Sequence, residues 1–138
     1  MSALAQETMP GQGAPVSMRF VPAPEHVRTV RLVVVAVARR AGFDDDRLED
    51  VRLAVGEVCA RAVRRSSASG TGEPVLVQID DSGADGPSLK VTVVDRAGEQ
   101  DEDPVAVALL HGLADALVVT AGPEGPGGTV SLDWNSPL

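Results

Sequence analysis

Tyrosine is absent from this chain of 138 residues, and two Phe and one Trp are its whole aromatic content. Large rings can therefore fill little of its interior. A hydrophobic fraction of 43% still supplies a core, built from Val, Leu and Ala. Cysteine occurs once, at Cys59, so no internal disulfide can form and a reducing, cytoplasmic setting is the expectation. The longest uncharged apolar run, residues 32–38, falls far short of the roughly 20 residues that cross a bilayer. No charged start followed by an apolar stretch marks a secretion signal. The expectation is one domain, with no membrane segment.

Basic residues are scarce overall: the net charge is −8, with Lys90 the single lysine. A chain so acidic is a poor ligand for nucleic acid phosphates. The charge is also uneven. Residues 19–65 hold ten Arg against seven acids, while residues 66–138 hold two basic residues against twelve acids. Such asymmetry suits a protein partner that is itself charged in patches. An acidic face kept for solubility explains it equally well.

Residues 1–14 are small and glycine-rich without periodicity, as in a disordered tail, and we set the tail at 1–16 and the domain at 17–135. "SMRFVP" alternates like a strand that Pro22 ends. In "APEHVRTVRLVVVAVARRAG" a proline sits where a first helical turn tolerates one. Val27, Val30, Val34, Val37 and Ala41 then recur at helical spacing until Gly42 stops the helix. Asp44, Asp45 and Asp46 open a second helix with the stripe Leu48, Val51, Val55, Val58 and Ala62. "VLVQIDD" and "LKVTVVD" read as a hairpin. "PVAVALLHGLADAL" reads as a third helix with Val105, Leu109, Leu113 and Ala116 on its stripe and Gly112 as a packing residue. "VVTAG" and "GTVSLDW" are strands around the turn "PEGPG". The order predicts an α/β (α+β) two-layer sandwich: a mixed, mostly antiparallel sheet with about three helices on one face.

Three segments carry chemistry. "LAVGEVCARAV" holds Glu57 and Arg61 one turn apart, an ordinary i,i+4 ion pair by spacing. "VVDRAGEQDEDP" ends a strand at Asp95, a residue that also forms turns, and continues into the acids Glu99, Asp101, Glu102 and Asp103. "GGTV" places Thr129 at the start of the last strand, where it is also simply a β-former. His26 and His111 lie on different helices without partners at ligand spacing and read as surface or capping residues. Cys59 reads as a small core residue.

The element order and these segments resemble the anti-sigma regulatory factors of the serine-protein-kinase type. These are histidine-kinase-like ATPases with the Bergerat (GHKL) fold. The resemblance implies that Glu57 stands at the general-base position, Asp95 at the adenine contact and Thr129 within reach of a phosphate. At the magnesium-ligand position, where the family has Asn, this chain has Arg61. A guanidinium offers only donors and a permanent positive charge, so it cannot replace an oxygen ligand. Ala97 and Glu99 stand where the family has glycines, and "PVAVALL" lacks the phosphate-turn glycine.

The expectation is therefore an anti-sigma-like protein that works by binding, with no cofactor and no metal. Its implied partners are a sigma factor and a STAS-domain anti-anti-sigma factor, with a homodimer open. The contacts are assigned, from charge, to Arg28, Arg31 and Arg39. The alternative is an active serine kinase using ATP and magnesium on the STAS protein. A scaffold with no sigma link is a third reading.

Overall fold

A computed structural model describes residues 15–83, 86–98, 104–121 and 128–135. The strands are β1 (Val16–Phe20), β2 (Val75–Asp80), β3 (Ser88–Asp95), β4 (Ala116–Ala121) and β5 (Gly128–Asn135). The helices are α1 (Val27–Ala41), α2 (Asp45–Ser69) and α3 (Pro104–Leu113), with a short 3-10 turn at Pro24–His26 leading into α1. The sheet order is β1-β2-β3-β5-β4 and every described pairing is antiparallel. The two-layer expectation holds, on the antiparallel side of "mixed". The proposed tail lies, up to residue 14, outside the described residues, and Val16 already belongs to β1.

Local chemistry sets the helix ends. Asp44 caps α2 by accepting the Arg47 N–H at 2.9 Å, and Asp45 and Asp46 follow in its first turn. Gly42 ends α1 at φ 104°, a left-handed conformation that costs glycine least. Only three residues, 42–44, separate α1 from α2, so the two helices pack as a hairpin. The "VVV" run is helical, as its longer periodicity requires: Val27, Val30, Val34, Val37 and Ala38 are all buried. The valine face of α1 is thus core of this chain. Leu48, Val51, Val55, Val58 and Ala62 of α2 are buried as well. They meet Val77, Ile79, Leu89, Val91, Val93, Val130 and Leu132 of the sheet. Trp134 is fully buried and donates its indole N–H to the Leu113 carbonyl at 2.8 Å, so its polar edge is not stranded.

The third helix departs from expectation. It stops at Leu113, and Ala116 begins β4 instead of completing a helical stripe. Asp115 holds this corner. Its carboxylate accepts from Arg47 at 2.6 Å and from the Asn135 N–H at 2.7 Å, and its own N–H donates to the Asp133 carbonyl at 2.9 Å. The buried residue of α3 is Leu110, while the expected stripe residues Val105 and Leu109 are 76% and 52% exposed. Gly112 is exposed, with open space where a side chain would be, so it is not a packing residue. The turn 123–127 lies outside the described residues.

Candidate functional site

The buried polar centre of the molecule is the carboxylate of Asp95, at the end of β3, 2% exposed. Strand alternation puts Asp95 on the face that carries Val91 and Val93, towards the helices. Its Oδ2 accepts from Arg65 Nε at 3.0 Å, and the Arg61 guanidinium stands 3.8 Å away as an ion pair beyond hydrogen-bond range. Its Oδ1 accepts from the backbone N–H of Ala97 at 3.0 Å and of Gly128 at 3.1 Å. The Ala97 bond is the Asx turn that a strand-end Asp forms. Arg65 also donates to the Gly98 carbonyl at 3.1 Å, and the Gly98 N–H donates to Ser69 at 3.0 Å. Loop, helix and last strand are thereby joined at one carboxylate.

Both arginines come from α2 and both are 8% exposed. Arg65 continues the buried stripe Val51, Val55, Val58, Ala62 at the next helical position, so it must enter the core side. Arg61 follows Ala54 by two turns and points the same way. Burying two guanidiniums is tolerable because a carboxylate faces them. Gly128 is the other requirement. A Cβ there would sit 3.1 Å from Asp95 Oδ2 and 3.2 Å from both Arg65 Nε and its terminal nitrogen. The pair lies flat against a strand only because that residue has no side chain.

The expected ion pair between Glu57 and Arg61 is replaced. Glu57 is held by Arg64 at 2.9 Å, two helical turns away and on the surface, while Arg61 turns inward. The Glu57 carboxylate is therefore already engaged by a cation. Thr129 does not share the site of Asp95. The register pairs Asp95 with Gly128 and Val94 with Thr129, so Thr129 is one residue out of phase and faces away from the helices. Its hydroxyl is buried without a hydrogen-bond partner among the described residues. Glu99, Asp101, Glu102 and Asp103 lie outside the described residues.

The other candidates are ordinary. His26 and His111 are exposed at helix ends. Among the described residues no group of three or more His, Cys, Asp or Glu could hold a metal ion. Cys59 is buried and free, and burial pushes its thiol up to about 12 against the opposing pull of Arg31. No helix of the described residues is long and apolar enough to cross a membrane. Of the three charge-assigned arginines, Arg28 and Arg31 meet at one groove beside Arg64, whereas Arg39 sits in the last turn of α1, away from it.

Residues 20–134 match the model of the histidine kinase-like ATPase domain. The chain belongs to that family. Among its curated relatives is the serine-protein kinase RsbW of Bacillus subtilis, 31% identical over 88 residues, which are 64% of this chain and 53% of that protein. RsbW of Bacillus cereus is 32% identical over 62 residues, 45% of this chain and 39% of that protein. The chain thus spans about half or less of the curated relatives it matches. A crystal structure of the RsbU and RsbW domains of Rv1364c from Mycobacterium tuberculosis superposes with a TM-score of 0.72 at 22% identity, over 89% of this chain and 32% of that one. At that identity the likeness shows the fold, which is the GHKL-type sandwich described above.

The sequence marks Asp95 as a strand-end acid, but it gives Arg65 no role. Its signal was its place on the α2 stripe, where an arginine among valines announces a buried acid elsewhere.

Proposed function

We propose that this chain is an anti-sigma-type regulator that acts by binding partners rather than by transferring phosphate. One observation carries the reading: the Asp95 carboxylate, at the family's adenine position, is already occupied by Arg65 and two backbone N–H groups, with Arg61 at 3.8 Å. A carboxylate offers about four lone-pair sites. Here three take hydrogen bonds and a second cation flanks them. An adenine amino group would have to displace a buried, charge-assisted bond of the kind that is about twice as strong as a neutral one. Arg61, at the metal-ligand position, has donors only and repels a divalent cation. ATP and magnesium do not fit these residues.

The relatives named as RsbW support a partner-switching role, in which a sigma factor and a STAS-domain anti-anti-sigma factor compete for this chain in the cytoplasm. The kinase reading keeps one point in its favour, since those relatives are named serine-protein kinases and Glu57 and Asp95 both remain. The deciding experiment incubates the chain with ATP, magnesium and a purified STAS-domain protein, and follows complex formation and serine phosphorylation together. A stable complex without phosphoserine supports binding alone; phosphoserine appearing at catalytic rates overturns it.

A further inference from the structure

The face of the sheet turned away from the helices has a pocket of its own, of about 180 Å³, lined by Arg19, Glu73, Pro74, Leu76, Val94 and Arg96. Strand alternation builds it. Phe20, Val75, Val77, Val93 and Asp95 are buried on the helix side, so their neighbours Arg19, Leu76 and Val94 point the other way. The register sets Arg19 opposite Leu76 and Leu76 opposite Val94, one row across three strands. Arg96 is exposed between buried Asp95 and buried Ala97, so it joins the same face. The sheet itself separates this pocket from the Asp95 carboxylate.

Charge sets this pocket apart. Residues 66–138 hold Lys90 and Arg96 as their only basic residues against twelve acids, and the fold brings Arg96 to the same pocket as Arg19. Neither arginine has an ion-pair partner among the described residues, and Glu73 lines the pocket without pairing with either. Lys90 lies on the same face but has Asp80 and Asp133 as its cross-strand neighbours, so its charge is met within the sheet. At the pocket, two guanidiniums stand beside a small apolar floor of Pro74, Leu76 and Val94. Each is a rigid fork of donors. A flat carboxylate fills one fork, whereas a tetrahedral dianion offers oxygens to both. The volume is below the about 300–1,000 Å³ of sites for drug-sized ligands, so the ligand is small. We propose that this pocket binds a phosphate dianion, free or carried by a small phosphomonoester, between Arg19 and Arg96, with Glu73 limiting the affinity. The inference is independent of the partner-binding reading.

The test is a titration of the full chain with inorganic phosphate, followed by NMR of the arginine Nε–H and backbone amide signals, with chloride keeping the ionic strength constant. Phosphate should give saturable shifts at Arg19, Arg96 and Leu76 with half-saturation below about 10 mM, and sulfate should compete for the same signals. Acetate should bind at least about tenfold more weakly. Arg19→Gln and Arg96→Gln should each weaken phosphate about tenfold. Lys90→Gln, about 13 Å along β3 from Val94, should change it less than about threefold. Glu73→Gln should tighten it by removing a like charge. All four side chains are exposed, and unchanged urea midpoints tie the effects to the pocket. A parallel titration with glycerol phosphate separates the sources: binding at least as tight as that of phosphate assigns the site to a phosphomonoester, and weaker binding assigns it to the free anion. Absence of saturation, equal binding of acetate, or a Lys90→Gln loss as large as that of Arg96→Gln would each overturn the proposal.

Discussion

Arg64 and Arg65 are neighbours on one helix, and each makes an ion pair of nearly the same length. Arg64 meets Glu57 at 2.9 Å, with side chains 59% and 27% exposed, and Arg65 meets Asp95 at 3.0 Å, with side chains 10% and 1% exposed. Distance does not distinguish them; solvent does. The outer pair sits in a high dielectric and trades one hydration shell for another, so it adds little to stability. The inner pair has lost its water, and each charge depends on the other. One residue of helix rotation, about 100°, separates a dispensable contact from one on which the centre of the molecule depends.

The inner pair gives the largest expected effect. Asp95→Ala removes the buried carboxylate that pairs with Arg65 and Arg61 and strips the acceptor from the Ala97 and Gly128 N–H groups. Urea unfolding should show a loss of about 3–5 kcal/mol. Replacing both partners, as Arg65→Met with Asp95→Leu, should recover most of that loss, because a buried pair is costly to break but not costly to replace. If the double variant is no better than Asp95→Ala, the backbone bonds rather than the ion pair hold the site.

Gly128→Ala should come next. The added methyl meets Asp95 and Arg65 at 3.1–3.2 Å, and overpacking of that kind costs about 1–3 kcal/mol. Its unfolding midpoint should fall between those of the inner-pair and outer-pair variants. Glu57→Gln should cost less than about 1 kcal/mol, and that small loss should shrink further in high salt. The smallest effect belongs to Glu49. A hydrogen bond from Arg52 holds its carboxyl below the usual range. With the folded pKa depressed, any stabilisation is present above the unfolded carboxylate range and is lost as pH falls through the folded pKa. Because the pair is fully exposed, Arg52→Gln should leave the thermal midpoint unchanged from neutral pH down through that window.

The same contrast explains what the sequence disclosed. In α1 and α2, valines alternate with charges at a clear helical period, so buried face, caps and order could all be read from the chain. In α3, Val105, Ala106, Val107, Ala108, Leu109 and Leu110 are apolar all round, so periodicity could not choose Leu110 as the buried member. The end of α3 was hidden for another reason: Asp115 fixes it through Arg47 and Asn135, both distant in sequence. At the candidate site, the segment resemblance singled out Glu57, Arg61 and Asp95. It could not show that Glu57 would take Arg64, or that Thr129 would face away, since rotamer choice and strand register are tertiary facts.

Isothermal titration of the purified chain with ATP and magnesium tests the central claim most directly. With Asp95 engaged by Arg65 and flanked by Arg61, no saturable heat should appear up to about 1 mM nucleotide. A dissociation constant near the micromolar range that requires magnesium, and that vanishes in Asp95→Asn, would contradict the account.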